Sequence, residues 1–289
     1  MMAPLALGTA QFGLRYGVAN RSGQVSQAEV SGILQDAAAG GIDTVDTAIA
    51  YGSSEASLGV AGVSAFRVVS KLPPLPADTP DVVAWVRTHV VASLERLQIP
   101  QLDALLLHRC DDLTDARGAE CRLALLQVKE AGMAKAVGVS IYAPDELDRL
   151  WDVWKPDVIQ APFNVLDRRL VHSGWLDRLN DCGVVVHVRS AFLQGLLLME
   201  PKNRPAWFAP WRSLLDDWSA WCASEQVTPL QAALAFARSQ PGIARVVVGV
   251  DSRQHLAQIL QATGKTLAFP EALFCTDREL IEPSRWKLT

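Results

Sequence analysis

The sequence offers little with which to cross a membrane, grip a nucleic acid or build a disulfide frame. No segment approaches the ~18 continuous apolar residues of a bilayer span. Met1-Met-Ala-Pro-Leu5 runs straight into Gly8-Thr9-Ala10, with neither the basic start nor the long apolar stretch of a secretory signal. The expected location is therefore the cytoplasm, with no membrane contact. No Lys/Arg run interrupts the chain, and a formal charge of −4 leaves no basic stripe for a phosphate backbone, so no nucleic-acid partner is expected. The five cysteines, Cys110, Cys121, Cys182, Cys222 and Cys275, are odd in number, scattered, and without a C-x-x-C pair. Free thiols in a reducing compartment are the expectation. His89, His172, His187 and His255 lack the company of a ligand cluster, and no metal is expected. Nor does a G-x-G-x-x-G turn follow the first apolar run, which counts against an open doubly wound sheet.

What the chain does contain is material for a large core, 49 % hydrophobic against 20 % charged residues, in a repeated strand-then-helix rhythm. Short β-rich runs fall at 5–8, 44–47, 68–70, 104–107, 136–139, 158–161, 184–188 and 245–248. Ser26-Gln-Ala-Glu29 and Thr228-Pro-Leu-Gln231 read as capping boxes that open helices, and Thr79-Pro80 reads as a further start. Behind Pro80 the residues Val82, Val86, Val90, Leu94 and Leu97 fall near helical spacing and predict one stripe against a barrel wall. Eight such units predict an α/β fold, a (β/α)8 TIM barrel, as a single domain over residues 1–289. The stretch 198–218, with Met, Pro, Lys, Asn and several Trp, breaks the rhythm and reads as a long rim loop after the seventh strand, whose residues 202–211 are expected to close over the site.

Ionisable residues close several of the apolar runs. Asp46 and Tyr51 stand in Gly41-Ile-Asp-Thr-Val-Asp46-Thr-Ala-Ile-Ala-Tyr51-Gly52, Lys71 ends Val68-Val-Ser-Lys71, and His108 ends Leu105-Leu-Leu-His108. In a parallel barrel these positions lie at the carboxyl rim, where chemistry is done. Reducing a carbonyl requires a hydride donor at carbon and a proton donor at oxygen, but a tyrosine of pKa near ~10 is a reluctant acid or base at neutral pH. Lys71 can favour the phenolate and lower the Tyr51 pKa, with Asp46 keeping the ammonium charged and oriented, and the spacing predicts Lys71 within hydrogen-bond reach of both. His108 can polarise the substrate oxygen. The flanks Asp46-x-x-x-x-Tyr51-Gly52 and Asp103-x-Leu-Leu-Leu-His108 resemble those of the aldo-keto reductases, and the resemblance runs through nearly the whole chain. It implies an NAD(P)-dependent oxidoreductase in which Asp46, Tyr51, Lys71 and His108 are catalytic and Tyr51 donates the proton. Two other activities of the scaffold stay open, an aldose dehydrogenase working in the oxidative direction and a low-turnover, cofactor-sensing regulatory protein.

The same resemblance implies a cofactor site. Gly8 and Thr9, in Gly8-Thr-Ala-Gln-Phe-Gly13, would lie beside the nicotinamide ribose and diphosphate, while Ser140 and Gln160 would bond the carboxamide. Ser190, Phe192, Gln194 and Gly195 in Arg189-Ser-Ala-Phe-Leu-Gln-Gly195 would wrap the diphosphate. Arg189 stands where many relatives place an aromatic ring. Its guanidinium either stacks on the nicotinamide or turns to a carboxylate. Gly249, Ser252 and Arg253, opening the last helix, would hold the adenosine 2′-phosphate, and NADP is the cofactor expected, with NAD possible. Asp251 either repels that phosphate or binds a ribose hydroxyl. Phe12, Tyr16, Ile49, Arg109 and Tyr142 are the expected substrate-binding residues for a small carbonyl or sugar. The sequence carries no signal of oligomeric state.

Overall fold

The computed structural model describes residues 2–18, 20, 23–262 and 266–288. Eight parallel strands close into a barrel in sequence order: β1 Leu5–Gly8, β2 Thr44–Asp46, β3 Arg67–Leu72, β4 Leu102–Leu107, β5 Ala134–Ser140, β6 Val158–Pro162, β7 Val185–Arg189 and β8 Arg245–Gly249. Closure comes where β1 pairs with β8, from Leu5 opposite Val246 to Gly8 opposite Gly249. Each strand overlaps its predicted run. The principal helices are α1 Gln27–Ala39, α2 Ser54–Ala61, α3 Val82–Leu97, α4 Gly118–Glu130, α5 Asp145–Trp151, α6 Trp175–Asp181, α7 Pro229–Ser239 and α8 Arg253–Gln261. No helix among the described residues is long and apolar enough to cross a membrane.

Because successive side chains of a strand point to opposite faces, each strand contributes to two layers. Leu5 and Leu7, Val186 and Val188, and Val246 and Val248 join the apolar shell between barrel and helices. The alternate set faces the barrel axis, where Val69, Ala104, Leu106 and Val158 make a separate apolar plug. Two residues beyond Val69 stands Lys71, and two beyond Leu106 stands His108. The plug therefore floors the barrel, and the polar strand ends share its inner face one layer higher.

The helix starts depart from prediction in two places. Thr228 and Gln231 form the full capping box of α7. Ser26 accepts from the Glu29 amide at 3.3 Å, but the Glu29 carboxylate is drawn instead to the backbone N–H of Arg253 at 2.6 Å. The α3 cap is Asp81, which accepts from the Ala84 amide at 2.9 Å, rather than Thr79. Its apolar stripe is as predicted, with Val82, Val86, Val90 and Leu97 buried and Leu94 packed at the margin. After β7 the chain makes short 3-10 turns up to Trp211, and Arg212–Ser224 is already a helix.

Gly138 shows how tightly the barrel is filled beneath its rim. A β-carbon there would lie 1.8 Å from the Val158 carbonyl oxygen and 2.9 Å from Leu106 Cδ2. The missing side chain is what lets β5 and β6 meet at this level. Gly138→Ala is expected to lower stability by about 3 kcal/mol, the upper end of the usual cost of overpacking, because backbone as well as side chain must move. Urea unfolding measures this, and a change within about 0.5 kcal/mol would remove the steric argument.

Candidate active site

Asp46, Lys71 and Gln160 form a buried hydrogen-bonded cluster at the carboxyl ends of β2, β3 and β6. The Lys71 ammonium donates to Asp46 Oδ1 at 2.6 Å and to the Thr47 carbonyl at 2.9 Å, and Gln160 Nε2 donates to Asp46 Oδ2 at 2.7 Å. Both carboxylate oxygens are thus used. Lys71 is 1 % exposed and Asp46 4 % exposed, so the two charges depend on each other for what water no longer supplies. Thr9 ties the β1 loop to the cluster, its amide and its hydroxyl each donating to the Asp46 carbonyl at 3.0 Å.

Tyr51 lies on the loop after β2, pressed so closely against the β1 loop that a β-carbon on Gly13 would fall 1.7 Å from the Tyr51 carbonyl oxygen. Its ring meets His108 edge-on, centroids 5.8 Å apart, and Lys71 Nζ lies 5.4 Å from its centroid. The hydrogen bond predicted from Lys71 to Tyr51 is not among those of the described residues; the ammonium is bonded to Asp46 and Thr47 instead. The protonation states follow from this. Burial raises the Tyr51 pKa well above 10, the Asp46 charge adds to the rise, and Arg189 opposes it, so the phenol is neutral rather than drawn toward phenolate. Burial pulls Lys71 below its ordinary value while Asp46 pulls it back. Burial, helped by the charges of Lys71 and Arg189, pushes His108 down to about 4, which makes it a neutral imidazole at physiological pH.

A cavity of about 420 Å³ opens over this rim. Asp46, Tyr51 and His108 line it, as do Gly8, Thr9, Gln160 and Gly249 on neighbouring strand ends. Arg189, Ser190, Phe192, Gln194 and Gly195 form one wall, and Tyr16 and Tyr142 stand at its edge. Along that wall the backbone takes positive φ at Ser190, Leu193, Gln194 and Gly195. Such conformations persist in non-glycine residues only where surrounding structure holds them, commonly at ligand clamps. Ser140 lies just behind, its Oγ 3.4 Å from Arg189 Nε.

Several predicted site residues are elsewhere. Phe12 is fully buried among the apolar residues of the core, and Ile49 packs against the same core, so neither lines the cavity. Arg109 turns away to an ion pair with Asp112. Arg253 grips Asp36 of α1 with both ends of its fork, Nε to Oδ2 at 2.7 Å and Nη2 to Oδ1 at 3.0 Å, while its amide is taken by Glu29. The predicted phosphate-binding arginine is instead a clamp between α8 and α1. Ser252 caps α8, accepting from the His255 amide at 3.1 Å, and also stands outside the cavity wall. Residues 202–211 do not line the cavity; from the stretch predicted as a rim loop, Leu198 does.

Other lining residues carried no sequence signal, or a weak one. Asp251 and His255 face the cavity together, Oδ1 and Nδ1 3.1 Å apart, at the i,i+4 spacing of a helix start. Gln11 lines it with a buried Oε1 that finds no partner among the described residues. Pro283 and Ser284 reach it from the far end of the chain. They are held there by Glu282, whose two oxygens receive Arg278 and Arg285 at 2.6 Å each and Arg169 at 2.9 Å. Burial alone would raise the Glu282 pKa, but these three arginines hold it below the ordinary carboxylate range.

Comparison with known proteins sets this site in context. The sequence model of the Aldo/keto reductase family matches residues 4–271. The chain is 26 % identical over 212 residues to the NADH-specific methylglyoxal reductase of Escherichia coli (strain K12), an alignment covering 68 % of this chain and 64 % of that protein. It is 28 % identical over 207 residues to aflatoxin B1 aldehyde reductase member 2 of Rattus norvegicus, covering 66 % of this chain and 52 % of the relative. These alignments thus span between half and two thirds of the relatives' own length. Among solved structures, an aldo-keto reductase of Bacillus halodurans in its holo form superposes with a TM-score of 0.73 at 20 % identity, over 99 % of this chain and 96 % of that one. The glycerol dehydrogenase of Gluconobacter oxydans gives 0.71 at 22 % identity, over 92 % and 88 %. The structural likenesses speak for the barrel.

Two inward histidines give the protein a pH signature. His108 and, on β7, His187 are both pushed down to about 4, chiefly by burial. Their unfolded values are near ~6.5, so between about pH 6.5 and 4 the unfolded chain binds protons that the native chain refuses. Stability is expected to be full above that window and to fall as pH drops through it, by up to about 1.4 kcal/mol per pH unit for each histidine. Denaturation at neutral pH and at about pH 4.5 measures this. His108→Asn and His187→Asn together should flatten the difference, and an unchanged slope would contradict the assignment.

Proposed function

Because the chain belongs to the aldo/keto reductase family, an oxidoreductase family, we propose that it reduces small aldehydes or ketones with NADH, Tyr51 delivering the proton to the carbonyl oxygen. The observation that carries this reading is the Tyr51 ring meeting His108 edge-on where both line the cavity, with burial favouring the neutral form of each. A reductase needs its acid protonated before each turnover, and burial ensures that. His108, unable to act as a cation at neutral pH, serves as a hydrogen-bond donor that orients and polarises the substrate oxygen. Lys71, neutralised by Asp46, stabilises phenolate character as the proton leaves, since its ammonium already lies beside the ring.

The residues present fit a dinucleotide. Gly8 and Gly249 are register partners across the barrel seam and leave a stretch of cavity floor without side chains. Gln11 Oε1, without a partner among the described residues, offers an acceptor on the same side, and the strained wall from Ser190 to Gly195 has the character of an anion-holding loop. These residues, with Gln160, would hold the cofactor, which supplies the hydride when bound. Asp251 supports NADH over the NADPH suggested by sequence. Its carboxylate lines the cavity and would accept from a ribose hydroxyl but repel a phosphate, while Arg253 is committed to Asp36. The NADH specificity named for the similar Escherichia coli protein points the same way.

Mixing the protein with NADH or NADPH and a panel of carbonyls, and following cofactor oxidation, tests the reading directly. Tyr51→Phe is expected to lower kcat by roughly 10²–10⁴-fold while leaving NADH affinity within about twofold, because the hydroxyl acts on substrate oxygen. Retained turnover would remove Tyr51 from the chemistry. In fluorescence titrations Asp251→Ser should shift preference toward NADPH by about tenfold, whereas Arg253→Ala should leave the NADH-to-NADPH ratio unchanged. Selective loss of NADPH affinity on removing Arg253 would restore a phosphate pocket there and count against NADH.

A further inference from the structure

Pro283 and Ser284 wall the cavity from a segment well beyond the last strand, and the hold on them is ionic. Glu282, the residue just before them, is 4 % exposed and receives Arg278 and Arg285 at 2.6 Å each and Arg169 at 2.9 Å. Three cations on one carboxylate leave it little freedom. Arg169 is the joint of the assembly: besides Glu282 it grips both oxygens of Asp167, at 2.8 and 2.9 Å, and donates to the Tyr142 carbonyl at 3.1 Å. Tyr142 is itself a cavity residue. One network of charges thus ties the C-terminal segment to the loops after β5 and β6, and two pieces of cavity wall hang from it.

None of Asp167, Arg169, Arg278, Glu282 and Arg285 lines the cavity. Their charges are spent on one another, and the side chains they hold toward a ligand, those of Tyr142, Pro283 and Ser284, are neutral. In a closed barrel of eight strands in sequence order, β5 and β6 lie across the axis from the seam of β1 and β8. The floor at Gly8 and Gly249 belongs to that seam, and no bond of the network runs to it among the described residues. From outside, Trp286 meets Phe208 edge-on with centroids 4.8 Å apart, and its Nε1 donates to the Leu280 carbonyl at 2.9 Å. The segment is therefore braced on both sides of Pro283 and Ser284.

We propose that Glu282 is a positioning residue for the carbonyl substrate, fixing Pro283 and Ser284 as the wall against which the body of the substrate packs. The carboxylate touches no ligand and acts only through the two residues that follow it. A wall ordered beforehand spares the ligand the cost of ordering it, which is how a charge outside the cavity strengthens binding inside. The proposal rests on the reductase reading above and adds to it the part of the protein that receives the substrate body.

Glu282→Gln keeps the shape and removes the charge. It orphans no buried cation, since Arg169 keeps Asp167 while the Arg278 and Arg285 side chains are 45 % and 43 % exposed. With NADH and two neutral aldehydes, propanal and cyclohexanecarbaldehyde, it is expected to raise KM for the bulkier one by about tenfold while kcat and NADH affinity stay within about twofold, the pattern of lost ground-state binding. Should that variant not fold, Arg278→Gln and Arg285→Gln loosen the same carboxylate and should give the same split in smaller measure. Ser284→Trp, at an exposed position of the wall, should act directly, turning preference toward propanal by about tenfold. Hydrogen exchange reads the wall without turnover. The amides of Glu282, Arg285 and Trp286, bonded to the carbonyls of Arg278, Glu282 and Pro283, should exchange roughly tenfold faster in Glu282→Gln with the strand amides unchanged. An unchanged KM in Glu282→Gln, a loss in kcat alone, an equal loss of NADH affinity, or a Ser284→Trp that leaves the two aldehydes as they were would overturn the proposal. Faster exchange in Glu282→Gln with no carbonyl turned over by the wild type would instead overturn the reductase reading and leave Glu282 as the residue that positions the wall. Unchanged exchange without wild-type turnover would overturn both.

Discussion

The site is built on one buried ion pair. Lys71 and Asp46 are both withdrawn from water, a transfer that costs several kcal/mol per ion, and the 2.6 Å contact offsets it together with the hydrogen bonds around the pair. Gln160 from β6 and the carbonyl of Thr47 complete the set. Three separate strands are thereby held at one level of the barrel. The pair also sets the electrostatics above it: a matched lysine cannot pull Tyr51 to phenolate in the resting protein, and burial then decides in favour of the phenol.

A second pattern is the distribution of arginine. Most arginines close to the cavity are drawn to carboxylates that fasten the scaffold, which removes them from ligand recognition. Arg253 fastens α8 to α1, and Glu282 gathers Arg169, Arg278 and Arg285 to fix the C-terminal segment beside the cavity mouth. Arg169 extends the same lock by donating to the Tyr142 carbonyl at 3.1 Å. Tyr142 in turn backs Arg189. Asp251 and Arg189 both face the cavity and take no part in these scaffold clamps.

Much of the fold was legible because its signals are local. Alternation in Val68-Val-Ser-Lys71 and Leu105-Leu-Leu-His108 puts one face of each strand in apolar contact and the last residue on the rim, whatever the rest of the chain does. The helix caps failed where a distant group competed. Glu29 has the spacing of a capping box, yet its carboxylate serves the amide of Arg253, which lies 224 residues away in sequence. Arg253 looked free for a phosphate because Asp36, 217 residues earlier, gives no hint in sequence of being its partner. Phe12 illustrates the same limit: being close to a catalytic loop does not say which way a ring points, and here it fills the core.

By itself the sequence determined the alternation of strands and helices, the closed barrel they favour, and the gathering of Asp46, Tyr51, Lys71 and His108 at one rim, because hydrophobic periodicity and strand ends are properties of neighbouring residues. Only the tertiary structure decided which charges are matched, which protons stay on, and which remote segments wall the cavity. Pairing and desolvation depend on what the closed barrel brings within a few ångströms, and Pro283 lining one cavity with Tyr51, or Asp36 beneath Arg253, is a product of that closure rather than of any local pattern.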